Sequence, residues 1–167
     1  MSLFHVEEDE NGERKVLAHV RIEPGAVICK FAGKIIDYEK TLTLGNKESF
    51  AFQVEKDIYI YLDQPYRYFN HCCEPNCGVT PNQELIALKT IDKNEELRYD
   101  YSTTMLEHHW KMKCTCHKPS CRKIVTDFVK LPKLLQKKYL KLNIVQEFIV
   151  KHLNKKTGVG HSPASGY

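Results

Sequence analysis

From residue 14 to residue 62 the apolar positions fall in short groups separated by polar punctuation. Val16-Leu-Ala-His-Val-Arg-Ile22 is β-branched and partly alternating, and Glu23-Pro-Gly25 closes it with a turn signal. Val27–Phe31, Lys34–Ile36, Ser49–Val54 and Ile58–Leu62 follow as short strand candidates, each bounded by Gly, Asp, Asn or Lys. Leu85–Leu88 and Glu96–Tyr99 complete the series. No helical pattern long enough for a crossover separates these runs, so they predict small sheets, not βαβ units. The period changes after Cys121. Leu131, Leu134, Leu135 and Tyr139 follow helical spacing behind Pro132, and Val145, Phe148, Ile149 and Leu153 share one face of a second short helix. The expected fold class is mainly β with C-terminal helices, and Thr157–Tyr167, rich in Gly, Ser and Pro, reads as a disordered tail.

Composition changes little in that picture. At 167 residues, 42% hydrophobic and 28% charged, the chain reads as one globular domain with a short appendage. No apolar run approaches the roughly 20 residues of a membrane span, so no membrane partner is expected. Met1-Ser-Leu-Phe-His-Val6 turns acidic without a signal-peptide layout, which makes a cytoplasmic location the expectation. A secreted effector with a non-standard signal, or nuclear action, stays compatible with that N-terminus. A net charge of +4 is too small to argue for nucleic acid, which is therefore not expected as a partner. The excess is local: Thr126–Lys156 carries eight lysines against Asp127 and Glu147, about +6. With the apolar faces described above, those lysines read as the solvated side of a helical pair.

The cysteines add chemistry. Seven thiols in a chain without a secretion signal point to metal or catalysis before disulfides. Cys29 stands alone, while Cys72, Cys73 and Cys77 form one group and Cys114-Thr-Cys116-His-Lys-Pro-Ser-Cys121 another. Three thiolates within eight residues can surround one Zn²⁺, and tetrahedral closure needs a fourth ligand. Spacing alone leaves Cys72, Cys73, Cys77 and His117 open for that place.

Three stretches in order then resemble the SET-domain family of protein-lysine methyltransferases. Arg67-Tyr-Phe-Asn-His-Cys-Cys-Glu-Pro-Asn76 is similar to its Arg-Phe-x-Asn-His-Ser-Cys-x-Pro-Asn motif. Asn94-Glu-Glu-Leu-Arg-Tyr-Asp-Tyr101 is similar to Gly-Glu-Glu-Leu-Thr-Phe-Asp-Tyr, and Cys114–Cys121 to the post-SET Cys-x-Cys-x4-Cys. Ile22-Glu-Pro-Gly-Ala-Val-Ile28 and Phe31-Ala-Gly-Lys-Ile-Ile36 resemble the family's opening strands, so the likeness runs over roughly residues 13–125. In length, and in having no pre-SET cysteines or reader domain, the chain resembles the compact SET proteins of bacteria and viruses.

The resemblance implies a SET domain over 1–105, a post-SET zinc segment over 106–125, a helical extension over 126–156 and the tail over 157–167. It implies small curved sheets with a pseudoknot, one structural zinc on Cys73, Cys114, Cys116 and Cys121, and S-adenosylmethionine as cofactor. Cys72 and Cys77 are then packed thiols. Tyr101 matches the catalytic tyrosine, and Asn70, His71 and Arg67 match cofactor-contacting residues. Phe50 and Phe52 fall on the strand whose aromatic side chains line the cofactor pocket and the lysine channel respectively. Tyr99 matches the position where a phenol, in place of a phenylalanine, restricts the product to mono- or dimethyllysine. The implied partner is a lysine-bearing protein or peptide, histone or not, and the oligomeric state is left open. Three departures stand out, one being Arg122-Lys-Ile124, which lacks the glycine usual after the last cysteine. Where the family has Gly-x-Gly against the cofactor, this chain has Glu13-Arg-Lys15, so that either a side chain there crowds the cofactor or the loop is rearranged and Arg14 or Lys15 reaches the cofactor carboxylate. Phe31 replaces a frequent tyrosine, removing a hydroxyl from the channel. The competing reading is a SET-like module that binds a peptide or a partner protein without transferring methyl.

Overall fold

The computed structural model describes residues 2–107 and 110–157. Strands β1 (Phe4–Glu8) and β2 (Arg14–Ala18) form an antiparallel hairpin in register Phe4↔Ala18 to Glu8↔Arg14. Its turn is held by the Asp9 carboxylate, which accepts the N–H groups of Asn11 and Glu13 at 2.9 Å each. The sequence pattern starts strands at residue 14 and misses β1, whose partly buried and exposed positions carry little alternation. The expected strand from Val16 to Ile22 is also shorter: it stops at Ala18, and Ile22 makes a separate bridge to Ile91.

β3 (Val27–Lys30) and β4 (Gly33–Asp37) follow, then a short helix α1 (Tyr38–Leu42) capped by Asp37, whose carboxylate accepts the Lys40 N–H at 2.8 Å. A 3-10 turn, Gly45–Phe50, leads into β5 (Ala51–Glu55), which pairs with β6 (Ile58–Leu62). β6 is central in the sheet β4-β6-β5. Gly33 is required there, because a Cβ at that position would lie 2.1 Å from the Tyr61 carbonyl oxygen.

β7 (Asn70–His71), β8 (Cys77–Val79), β9 (Glu84–Ala87) and β10 (Arg98–Tyr99) build the middle of the molecule. β3, β9 and β8 form a second three-stranded sheet. β7 lies parallel to β10, with Asn70 opposite Arg98 and His71 opposite Tyr99. On the other side, the stretch before β10 is bonded to β2: Ala18 N donates to Glu95 O and Leu97 N to Val16 O. Residues 95–99 therefore run between the N-terminal hairpin and the Asn70–His71 segment, the crossing at the centre of the fold. Val16, Phe31, Phe52, Phe69, Leu85, Leu97 and Tyr99 pack beneath it as the main core.

β11 (Met112–Lys113) and β12 (Ile124–Val125) bracket the second cysteine group. α2 (Lys133–Lys141) and α3 (Glu147–Thr157) complete the described chain, and the expected tail beyond them lies outside the described residues. The helices enclose a second core of Phe128, Leu131, Tyr139, Ile144, Val145 and Ile149, against which Ile86, Leu88 and Leu106 of the β-domain pack. The expected apolar face of α2 is rotated. Leu134 is 83% exposed, whereas Gln136 is buried and its amide donates to the Leu131 and Val129 carbonyls. Gln136 satisfies the end of the preceding turn from inside, so a polar residue faces the core while Leu134, which hydrophobic spacing placed on the apolar face, points outward. Among the described residues no helix is long and apolar enough to cross a membrane.

Candidate active site

Tyr101 sits two residues beyond β10, at the start of a 3-10 turn, Tyr101–Thr104, capped by the Asp100 carboxylate. Its hydroxyl donates to the Phe69 carbonyl at 2.8 Å, and its ring lies 4.9 Å from Tyr99 and 5.4 Å from His71. Two cavities meet at this residue. The larger, about 670 Å³, is walled by the β1–β2 turn (Gly12–Lys15), by Arg67, Tyr68, Asn70 and Glu96, and by Met112–His117 from the cysteine segment. That volume falls within the range of small-molecule pockets. The second is a narrow slot of about 30 Å³ lined by Phe52, Leu62, Tyr99, Met105 and Trp110, with Glu48 and Glu107 also on its wall. Tyr101 lines both.

Phe50 and Phe52 do not share a strand. Phe50 ends the 3-10 turn while Phe52 lies on β5. Residues two apart on one strand would face the same way; the break in period instead sends Phe50 to the larger cavity and Phe52 to the slot. The Arg67 guanidinium covers Phe50 at 5.3 Å and Tyr61 at 5.4 Å, and its Nε is buried with no hydrogen-bond partner among the described residues. An orphaned buried donor beside a cavity of this size fits a bound acceptor. Asn70 is half-buried, its amide donating to Arg14 O and Glu96 Oε1 at 3.0 Å each. Arg14 lines the cavity but is already engaged, with Nε donating to Glu8 at 2.6 Å and the guanidinium stacked on Tyr68. Lys15 stands 3.9 Å from Asp9.

The His71 side chain is 2% exposed and both ring nitrogens have neighbours. The Tyr101 N–H donates to Nδ1 at 3.2 Å, and Nε2 stands 3.4 Å from Cys73 Sγ. Burial, with help from Arg122 and Arg98 and against Asp100, pulls its pKa down to about 4. The ring is therefore neutral at pH 7, and its 3.6 Å approach to Asp100 is not an ion pair. Any contact His71 makes with a ligand in the cavity runs through its backbone. Phe31 is not in the slot wall. It lies behind it, its ring 5.4–5.7 Å from Phe52, Phe69 and Tyr99, so its missing hydroxyl alters packing and not the channel surface.

Cys73, Cys114, Cys116 and Cys121 bring their sulfurs within 4.8 Å of one another, with Cys73 and Cys114 3.7 Å apart. A tetrahedral Zn²⁺ with ~2.3 Å bonds requires sulfurs about 3.8 Å apart, so this cluster fits the ion. Burial pushes the Cys73 thiol up to about 11; at Cys116 burial also acts upward, but the N–H groups of Cys73 and Lys118 and the thiols of Cys114 and Cys121 together outweigh it and hold that thiol down to about 6. Cys72 is buried against its own loop, bonded to Glu74, and Cys77 is fully buried in the core. Glu74 adds a second tie by accepting from the Ser120 N–H and hydroxyl at 3.1 and 2.7 Å.

Several residues of the site escape a reading of pattern. Tyr68 and Glu96 line the cavity from inside motifs whose neighbours draw attention first. Trp110, the single tryptophan, sits between the tyrosine motif and the cysteines, a placement that hints at the slot but does not specify it.

Comparison with known proteins agrees with this geometry. The SET domain family model matches residues 13–102. The chain is 28% identical over 148 residues to "Probable histone-lysine N-methyltransferase set-23" of Caenorhabditis briggsae, covering 74% of this chain and 59% of that protein. The Caenorhabditis elegans protein of the same description is 30% identical over 65% of this chain and 53% of its own length. Human "Histone-lysine N-methyltransferase 2D" is 30% identical over 61% of this chain and 2% of itself. The chain thus spans between about half and three-fifths of the two nematode relatives. The solved structure titled "crystal structure of KRYPTONITE in complex with mCHG DNA and SAH" shares the fold, with a TM-score of 0.55 and 21% identity over 74% of this chain and 29% of that one. On its matched residues, its crossing strands and its paired cavities, the chain belongs to the SET-domain family.

Proposed function

We propose that this protein is a protein-lysine N-methyltransferase that uses S-adenosylmethionine and transfers one or two methyl groups. The observation that carries the proposal is the position of Tyr101 on the wall of both cavities, one sized for a nucleoside-containing cofactor and the other a slot of about 30 Å³ lined by Phe52, Tyr99 and Trp110. S-adenosylmethionine, when bound, supplies the methyl group on a sulfonium. Everything else falls to the chain. Asn70, Arg67 and the backbone of His71 hold the cofactor, with Phe50 beside it. Arg14, engaged with Glu8 and Tyr68, shapes the cavity edge where glycines stand in the family pattern. Phe52, Tyr99 and Trp110 line the slot for the substrate lysine and exclude water.

A lysine amine must be neutral to attack. With a pKa near 10.4, deprotonation at pH 8 costs roughly 3 kcal/mol, and an apolar aromatic slot lowers that cost by disfavouring the ammonium. The Tyr101 hydroxyl, its proton committed to the Phe69 carbonyl, offers its oxygen to align the amine for in-line approach. Tyr99, buried beside it, leaves little room for a methylated amine to turn and react again. Zn²⁺ on the four cysteines holds Met112–His117 against the cofactor cavity. The relatives named as histone-lysine methyltransferases support a protein lysine as acceptor.

Tritium-labelled S-adenosylmethionine, offered with core histones and a cell lysate as acceptors, tests the reading. Wild-type protein is expected to label protein lysines. Cofactor binding without transfer to any acceptor would favour the non-enzymatic peptide-binding module.

A further inference from the structure

Asp100 and Arg122 form a buried pair that neither cavity touches. The Asp100 side chain is 0% exposed and that of Arg122 16%. Arg122 Nη2 donates to Asp100 Oδ1 at 2.7 Å and to the Ser102 hydroxyl at 3.3 Å. The second carboxylate oxygen accepts the Tyr139 hydroxyl of α2 at 3.0 Å, and the first also accepts the Ser102 N–H at 3.1 Å. A lone carboxylate so deeply placed is strongly unfavourable, and a hydrogen-bonded guanidinium removes that cost.

The location of Arg122 gives the pair a direction. It follows the last cysteine of the metal cluster, and its backbone N–H donates to Cys73 Sγ at 3.4 Å. From the opposite side, the His71 ring reaches the same sulfur. Because the Tyr101 N–H is a donor, Nδ1 of His71 is the acceptor and the ring proton resides on Nε2, facing Cys73 Sγ 3.4 Å away. Two short routes therefore lead from Cys73 to the Asp100-Tyr101 peptide: one through the His71 ring to the Tyr101 amide, the other through Arg122 to the Asp100 carboxylate. Tyr139 adds a brace from the helical extension.

We propose that Arg122 is a positioning residue that, through Asp100, sets the orientation of Tyr101 and makes it depend on closure of the cysteine cluster. The proposal rests on the methyl-transfer reading for its kinetic consequence, but its structural content is independent of it. Since Arg122 lines neither cavity, its loss should act on the two cavities only through the Tyr101 hydroxyl, leaving the other residues that line them in place. Misplacement of a reacting group by about an ångström costs on the order of a hundredfold in rate.

The test uses the zinc-loaded full chain and the variants Arg122→Met, Arg122→Lys and Tyr139→Phe. Three quantities are read: turnover against KM, zinc content, and amide hydrogen exchange at Tyr101 and Ser102. Arg122→Met is expected to lower kcat about ten- to a hundredfold, with KM and zinc content unchanged and faster exchange at both amides. Arg122→Lys, which keeps a cation near Asp100, should recover part of the turnover and of the protection. Tyr139→Phe should give a smaller change of the same kind. Wild-type kcat and wild-type exchange in Arg122→Met would overturn the proposal. So would a kcat loss that merely tracks lost zinc, because Arg122 would then be a support of the metal loop alone. If the wild-type protein transfers no methyl, the functional reading fails, and amide exchange in Arg122→Met still decides whether the arginine positions Tyr101.

Discussion

Burial raises the pKa of four tyrosines, Tyr59, Tyr99, Tyr101 and Tyr139, because each phenol would have to ionise away from water. The sign of the consequence follows from linkage. A phenol whose folded pKa lies above its unfolded value of about 10 contributes full stability below that value and loses it as pH rises toward the folded one. Stability should therefore be flat with respect to these groups through pH 9 and fall above about pH 10, with the phenolate absorbance of these four, out of nine tyrosines, appearing together with loss of far-ultraviolet dichroism. Phenolate absorbance equivalent to all nine tyrosines well before unfolding would show that these four phenols are not held as described. The same burial keeps Tyr101 protonated throughout the range in which the substrate amine deprotonates, so the rate should climb with pH to at least pH 9 without a falling limb from the enzyme. At Tyr99 the prediction concerns product. Tyr99→Phe removes one oxygen from a slot of about 30 Å³ and should raise the proportion of higher methyl states, read by mass spectrometry of a methylated peptide. Substantial trimethyllysine from the native protein, or no upward shift in the variant, would contradict the role given to it.

At the scale of elements, the cysteine segment and the C-terminal helices both act on the site from outside the β-domain. Met112–His117 forms one wall of the larger cavity, held by the four sulfurs and by the Glu74–Ser120 bonds. Chelation should open that wall while the main core, built on other residues, stays folded. Titration with S-adenosylhomocysteine after chelation is expected to show affinity weakened by roughly tenfold or more, about 1.4 kcal/mol per decade, before the thermal transition of the domain is lost. Unchanged affinity and full activity without metal would break the link. The helices contact the β-domain closely enough to dictate a residue within it. A Cβ on Gly78 of β8 would lie 2.6 Å from the Ile144 side chain, between α2 and α3. Gly78→Ala is therefore expected to destabilise the fold by about 1–3 kcal/mol through overpacking, measurable by denaturant unfolding, with cofactor affinity unchanged in the folded fraction.

For the molecule as a whole, the legible part of the sequence was its punctuated apolar groups and its motifs. β3, β4, β5, β6 and β9 fall where three- to six-residue runs end at polar or turn residues, because strands buried on one side need both signals. What stayed hidden depends on tertiary context. β1 is held by β2 and by its Asp9 turn more than by its own alternation, and Gln136 is inside only because two carbonyls need its amide. Phe50 and Phe52 could be assigned to different cavities only by family likeness; the 3-10 turn that separates their directions has no clear pattern of its own. Asp100, between two conspicuous tyrosines, gave no sign that three separate elements converge on it. The central claim is that Tyr101, where the two cavities meet, governs methyl transfer. Transfer of label from S-adenosylmethionine to protein lysines by wild-type and Tyr101→Phe proteins tests it most directly, with S-adenosylhomocysteine affinity measured on both. The variant is expected to lose about a hundredfold or more in transfer at equal affinity; equal labelling by the two proteins would show that Tyr101 does not govern it.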